Sequence, residues 1–218
     1  MMYKSLSRIA TTLFVAHLTT TYALTTDITT PLPYYVGIIS GYGSTTWRQL
    51  VPKTNQHSVA MAMSTPTHVD EGGIIWGLFG GYEFSKTFAI EGSYTHYPSA
   101  RVYFDPTSLF TFEHGLTEFT TSTEALSISG KLMMPFRQTA LRIFSSVGAA
   151  ALHRHDVVTN RLRLSPTFGV GINYPITQRI FLEAGITYTG GYGESELDPA
   201  EDYVPFLYAG FLHIAWRL

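Results

Sequence analysis

Counting every second residue from Tyr208 to the end of the chain gives Tyr208, Gly210, Leu212, Ile214, Trp216 and Leu218, all apolar or small, while the interleaved positions include His213 and Arg217. A period of two means a strand with two chemically different faces. The pattern recurs in Val36, Ile38 and Tyr42; in Ile74, Trp76, Leu78, Gly80, Tyr82 and Phe84; and in Phe88, Ile90, Gly92 and Tyr94. It continues in Leu126, Ile128, Gly130, Leu132 and Met134; in Leu141, Ile143, Val147 and Ala149; in Leu162, Leu164, Phe168, Val170 and Ile172; and in Ile180, Leu182, Ala184, Ile186 and Tyr188. Eight strands are expected, and their second faces are rich in Gly, Ala, Ser and Thr.

The links between them alternate in length. Short ones fall at Ser85 to Thr87, around Pro135 to Thr139 and around Pro175 to Gln178, and long polar ones at roughly 44–71, 98–120, 153–160 and 190–203. Beyond the N-terminus no apolar run approaches the roughly 18 residues that a transmembrane helix needs, so a membrane crossing would have to use strands. In hydrocarbon only a closed barrel satisfies every backbone group of a sheet. Short turns on one side and long loops on the other are the pattern of outer-membrane barrels, with turns and termini periplasmic. The bulky rings Tyr42, Tyr82, Phe84, Phe88, Tyr94, Phe136, Tyr174, Tyr188, Tyr208 and Trp216 lie near segment ends, as two aromatic girdles would. The alternative is a soluble periplasmic barrel with its apolar face turned inward around a ligand.

Lys4 and Arg8 precede a short apolar stretch, Ile9 to Leu18, and Thr21-Tyr22-Ala23 suits cleavage, so residues 1–23 read as a signal peptide. A short periplasmic segment, 24–33, would lead into a barrel over 34–218. Without Lys4 and Arg8 the formal charge falls by two from −2 to −4, which argues against nucleic-acid binding. The absence of cysteine rules out disulfides and thiolate metal sites.

Gly77 to Phe84, Phe88 to Tyr94 and Ser165 to Tyr174 resemble the hairpins of the OmpA-like and opacity-protein-like eight-stranded outer-membrane barrels, and the resemblance runs from about Tyr34 to Leu218. It implies an all-β, antiparallel, up-and-down transmembrane barrel in the outer membrane of a Gram-negative bacterium. Its partners would be outer-membrane lipid and, during biogenesis, the barrel-assembly machinery. The family's C-terminal strand usually ends in Phe or Trp; here Leu218 is last and Trp216 carries the aromatic. No peptidoglycan-binding module is expected after the barrel.

Inward-facing charges are expected at Glu83, Glu91, Lys131, Arg142, Glu183 and Arg217, all at one depth near the short turns. An eight-stranded barrel has room only for side chains, so three acids and three bases should neutralise one another as a plug. Gly169-Val-Gly171 lacks the helix and acidic residue of a dinucleotide site, and His153-Arg154-His155-Asp156 reads as a solvated loop rather than a metal site. His213 is expected to be a hydrogen-bonded interior histidine. No cofactor or metal is expected. Lipid A deacylases and omptin proteases are also barrels, but no convergent nucleophile and base stand out, so the chain is expected not to be an enzyme. Function would instead lie in envelope structure or in surface interaction. The second long loop holds Tyr103, Phe104, Phe110, Phe112 and Phe119, and exposed rings there would mark contact with a host or envelope partner. Alternatively, the first two loops pack together as a lid. In the first loop Val59, Met61 and Met63 alternate, as in a strand extension or hairpin.

Overall fold

The computed structural model describes residues 32–52, 65–137, 139–192 and 203–218. Eight strands close into a barrel: β1 (Tyr34–Thr45), β3 (Gly73–Glu83), β4 (Phe88–His96), β6 (Glu118–Pro135), β7 (Arg142–His155), β8 (Asn160–Pro175), β9 (Ile180–Thr189) and β10 (Leu207–Arg217). Each pairs antiparallel with its sequence neighbour in that series, and β1 pairs with β10 to close the ring. Among the described residues, two short strands, β2 (His68–Asp70) and β5 (Ala100–Tyr103), a 3-10 turn at Trp47–Leu50 and one α-helix, α1 (Leu109–His114), belong to the loops.

The register fixes the barrel's width. Stepping across paired residues from Tyr35 leads through Gly81, Glu91, Ser129, Gly148, Thr167, Thr189 and Leu207 to Thr45, ten residues further along β1 than the start. A shear of ten on eight strands tilts them and leaves an interior that side chains fill. Inside, Gly171 and Gly185 face each other because the rings of Phe144 and Phe211 stand where their Cβ atoms would be, 2.7 and 2.8 Å away.

The outer surface is the apolar one. Val36, Ile38, Ile74, Leu78, Ile128, Val147, Val170, Ile186, Leu212 and Ile214 are all exposed on the outside of the wall. Rings gather at both ends of this belt. Tyr34, Tyr82, Phe84 and Phe88 form a chain of ring contacts, two of them edge to face, with centroids 4.7–5.6 Å apart beside the short turns. Tyr188 and Tyr208, 5.0 Å apart, and Trp76 with Tyr94, 6.1 Å apart, mark the other end.

Side-chain hydroxyls tighten two of the short turns. Ser85 Oγ accepts from the Thr87 and Phe88 amides, and Thr177 Oγ1 accepts from those of Arg179 and Ile180. At the opposite end the third expected loop is much shorter than 153–160: β7 runs on to His155 and β8 resumes at Asn160. The four connecting residues are folded by Asp156 Oδ1, which accepts from the amides of Val158 and Thr159. The alternating residues Val59, Met61 and Met63, like the signal segment, lie outside the described residues.

If the apolar belt contacts hydrocarbon, Ile38→Arg at its middle should cost about 2–4 kcal/mol of barrel stability. Phe112→Arg, on a loop, should leave stability within about 0.5 kcal/mol. Urea unfolding in lipid vesicles measures both.

Candidate functional site

The six predicted interior charges meet inside the barrel in two stacked layers rather than at one depth, because tilted strands set paired residues at different heights. In the layer at the short-turn end, the Glu83 carboxylate takes both Nη atoms of Arg217, at 2.7 and 2.9 Å, and Nη2 of Arg142 at 3.0 Å. The arrangement joins the ends of β3, β7 and β10. Arg217 also lies over the Phe181 ring.

One step further in, the Lys131 ammonium donates to Glu91 and to both oxygens of Glu183, at 2.9 and 3.2 Å. Three residues that the charge pattern did not single out complete this layer. The Tyr35 hydroxyl donates to Glu91 at 3.0 Å, and Asn173 donates to Glu183 at 2.8 Å while accepting from Arg142 at 2.7 Å, so it ties the two layers together. His213 places Nδ1 3.4 Å from Glu183 Oε2, between the rings of Phe79 and Phe211. Period-two counting assigns Tyr35 and Asn173 inward too, but being uncharged they gave no sign of joining a charge network, while His213 is the hydrogen-bonded interior histidine expected of it.

Charge bookkeeping explains why two layers coexist. Glu83 faces two arginines, whereas Lys131 faces two glutamates. Counting only the lysine, arginines and glutamates, each layer is off balance by one charge, and the two offsets have opposite signs. Glu91, Glu183 and His213 put three potential metal-ligating atoms within 4.8 Å of one another. The Lys131 ammonium already stands between the two carboxylates, so a cation is built into the chain at that place.

Above this floor is a small chamber of about 70 Å³, lined by Ser93, Thr95, Ser127, Ser146, Thr167 and Thr187 among others. Hydroxyls pair between neighbouring strands along its wall, Ser93 with Ser127 at 2.7 Å and Thr167 with Thr189 at 2.9 Å. The space suits a few waters.

A second apolar core closes the far end. Trp47, Val69, Val102, Phe104, Phe110, Phe119 and Tyr203 pack together from all sides of the rim. Strand β2 pairs with β5, and β5 with the upper part of β6, so the first and second loops form one sheet. Of the stretch His153 to Asp156, expected to be solvated, His153 and His155 do face out, but Arg154 and Asp156 anchor this cap instead. Arg154 and Asp156 are fully buried, 2.6 Å apart; the Arg154 guanidinium lies 4.6 Å from the centre of the Trp47 ring and donates to the Tyr203 carbonyl. The reason is alternation: β7 continues upward, and Leu152 and Arg154 point inward while His153 and His155 point out.

The five aromatic residues of the second loop divide. Phe104, Phe110 and Phe119 are buried, the first two stacked at 4.0 Å, and offer no contact surface. Tyr103 is half-buried against His68. Phe112 is 88 % exposed on α1. Helix α1 starts at Ser108, whose hydroxyl caps the Thr111 amide, and ends at Gly115 in the left-handed region. Beneath it the hydroxyl and amide of Thr107 bond to Asp105 and hold its carboxyl below the usual range.

A family model described as an outer membrane protein beta-barrel domain matches residues 12–204. The chain belongs to this family of outer-membrane β-barrels. Among solved structures it is similar to Neisserial surface protein A, with 12% identity, 85% of this chain and 97% of that one covered and a TM-score of 0.52. It is also similar to the N-terminal barrel domain of Pseudomonas aeruginosa OprF, with 14% identity, 84% and 97% covered and a TM-score of 0.46. A third, Ail of Yersinia pestis, has 15% identity, 86% and 100% covered and a TM-score of 0.41. No curated protein matches in sequence. Identities this low speak to fold alone. The family match, together with the apolar residues exposed on the outer wall, settles which way the barrel faces: the protein is an outer-membrane barrel with its apolar face to lipid, and the soluble alternative is set aside.

The ion-pair floor carries its own prediction. Lys131→Met leaves Glu91 and Glu183 buried without their shared cation and should destabilise the barrel by about 3–5 kcal/mol, read as a lower urea midpoint in vesicles. An unchanged midpoint would mean that the floor is hydrated and screened.

Proposed function

We propose that this outer-membrane barrel acts through its outer cap, as a surface-contact protein, and neither passes solutes nor catalyses a reaction. The observation that carries the reading is the exposed apolar edge of the cap. Leu109 and Phe112 lie three residues apart on one face of α1, Leu116 follows just beyond the helix, and all three are exposed while Phe110 anchors the helix from below. Apolar side chains displayed on a well-packed base are what a contact surface offers, because a partner need not order the loop first. The interior supports the same reading: the acids that could serve as general bases are engaged in ion pairs with Lys131, Arg142 and Arg217.

The partner would be a host or envelope macromolecule with an apolar patch. In a non-adherent bacterial strain displaying the protein, the double variant Leu109→Ser, Phe112→Ser should lower attachment to cultured host cells roughly thirtyfold, the effect of losing a central contact. Surface amount and heat-modifiable mobility should stay unchanged. Equal attachment by both proteins contradicts the reading and favours a purely envelope-structural role, which the salt-bridged interior also fits.

A further inference from the structure

The lipid-facing wall is not smooth. On the outside of β1, β8, β9 and β10, at the long-loop end of the belt, lies a cleft of about 470 Å³. Its sides are the rings of Tyr42, Phe168, Tyr188 and Tyr208, with Val170 and Ile186 at its inner end. Its floor is Gly210. On β10 the outward positions read Tyr208, Gly210, Leu212, Ile214, Trp216, so a single missing side chain creates the depression. Gly210 pairs with Tyr42 on one side and Ile186 on the other. A Cβ added there would meet nothing within 4 Å. The space is therefore real, and the barrel does not need glycine at this point for its own packing.

We propose that this cleft is a seat for one acyl chain of an outer-leaflet lipid. Three observations choose that occupant. The cleft opens onto the belt that faces hydrocarbon, so an apolar chain is the only abundant species that reaches it. Its volume lies within the range of about 300–1,000 Å³ usual for small-molecule sites. Its upper edge carries the tyrosines and Ser44, which suit the boundary between tails and head groups. Rigid rings make the seat selective: Tyr188 is held between Tyr208, at 5.0 Å, and Phe206, at 6.2 Å. The cleft ends blind. The β9–β10 ladder is unbroken behind it, with Ala209 paired to Thr187, so the occupant is resident and has no path into the chamber. Recognition rests on the chain, so lipids with different head groups should compete for the seat.

Because Gly210 has open space above it, Gly210→Leu fills the cleft from the barrel side without disturbing the fold. Ala149→Leu adds similar bulk to the exposed outer face of β7, away from the cleft, and serves as the control. Each protein is reconstituted in bilayers of phosphatidylethanolamine and phosphatidylglycerol, extracted into mild detergent and weighed by native mass spectrometry, with heat-modifiable mobility reporting the fold. The wild type and Ala149→Leu should retain one lipid of either head group, and Gly210→Leu should lower that occupancy roughly tenfold, the loss of about two buried methylenes. Equal retention by Gly210→Leu, no retained lipid on the wild type, or a detergent molecule retained in its place would overturn the proposal.

Discussion

Backbone amides and carbonyls in hydrocarbon have no water to bond, and this one constraint shapes the whole molecule. Strands can meet it only by pairing on both sides, so the first and last must find each other. The β1–β10 ladder, from Tyr35 with Arg217 to Thr45 with Leu207, does this. Once the ring is closed with a shear of ten, the rest follows. One face of every strand meets lipid and the other meets a space barely wider than its own side chains. The same alternation that puts Ile38 and Ile214 outside puts Tyr35 and His213 inside.

A narrow interior must be filled, and the two ends are filled by different physics. At the periplasmic end the filling is ionic. Charges deep in a barrel persist when partnered and hydrogen-bonded, and here Glu83 serves two arginines while Lys131 serves two glutamates, with Asn173 connecting them. At the outer end the filling is aromatic, and the buried ion pair of Arg154 with Asp156 is enclosed by rings and by the Tyr203 carbonyl. Between them, among the described residues, lies the small hydroxyl-lined chamber.

Much of the architecture was legible because period two is a local property. Each strand's outward set and the six inward charges could be read by counting along the chain. What could not be read depends on partners distant in sequence. Arg154 looked solvated because Trp47 and Tyr203, which enclose it, are far away along the chain and reach it only once the barrel closes. The two charge layers arise from the stagger between strands, which no single strand displays. Phe104, Phe110 and Phe119 have the same residue type as Phe112, and only the pairing of β2 with β5 decides which are covered. Gly210 counted as a small outward residue; that it opens a cleft depends on Tyr42, Phe168 and Tyr188 on three other strands.

We propose that floor and cap close the barrel to solutes, leaving its outer surface to act. Single-channel recording of the purified protein in planar lipid bilayers tests it most directly. The closed interior predicts a bilayer that stays at baseline or shows only brief, small events. Large, steady, open channels from correctly folded protein would contradict it and make passage through the barrel the protein's business.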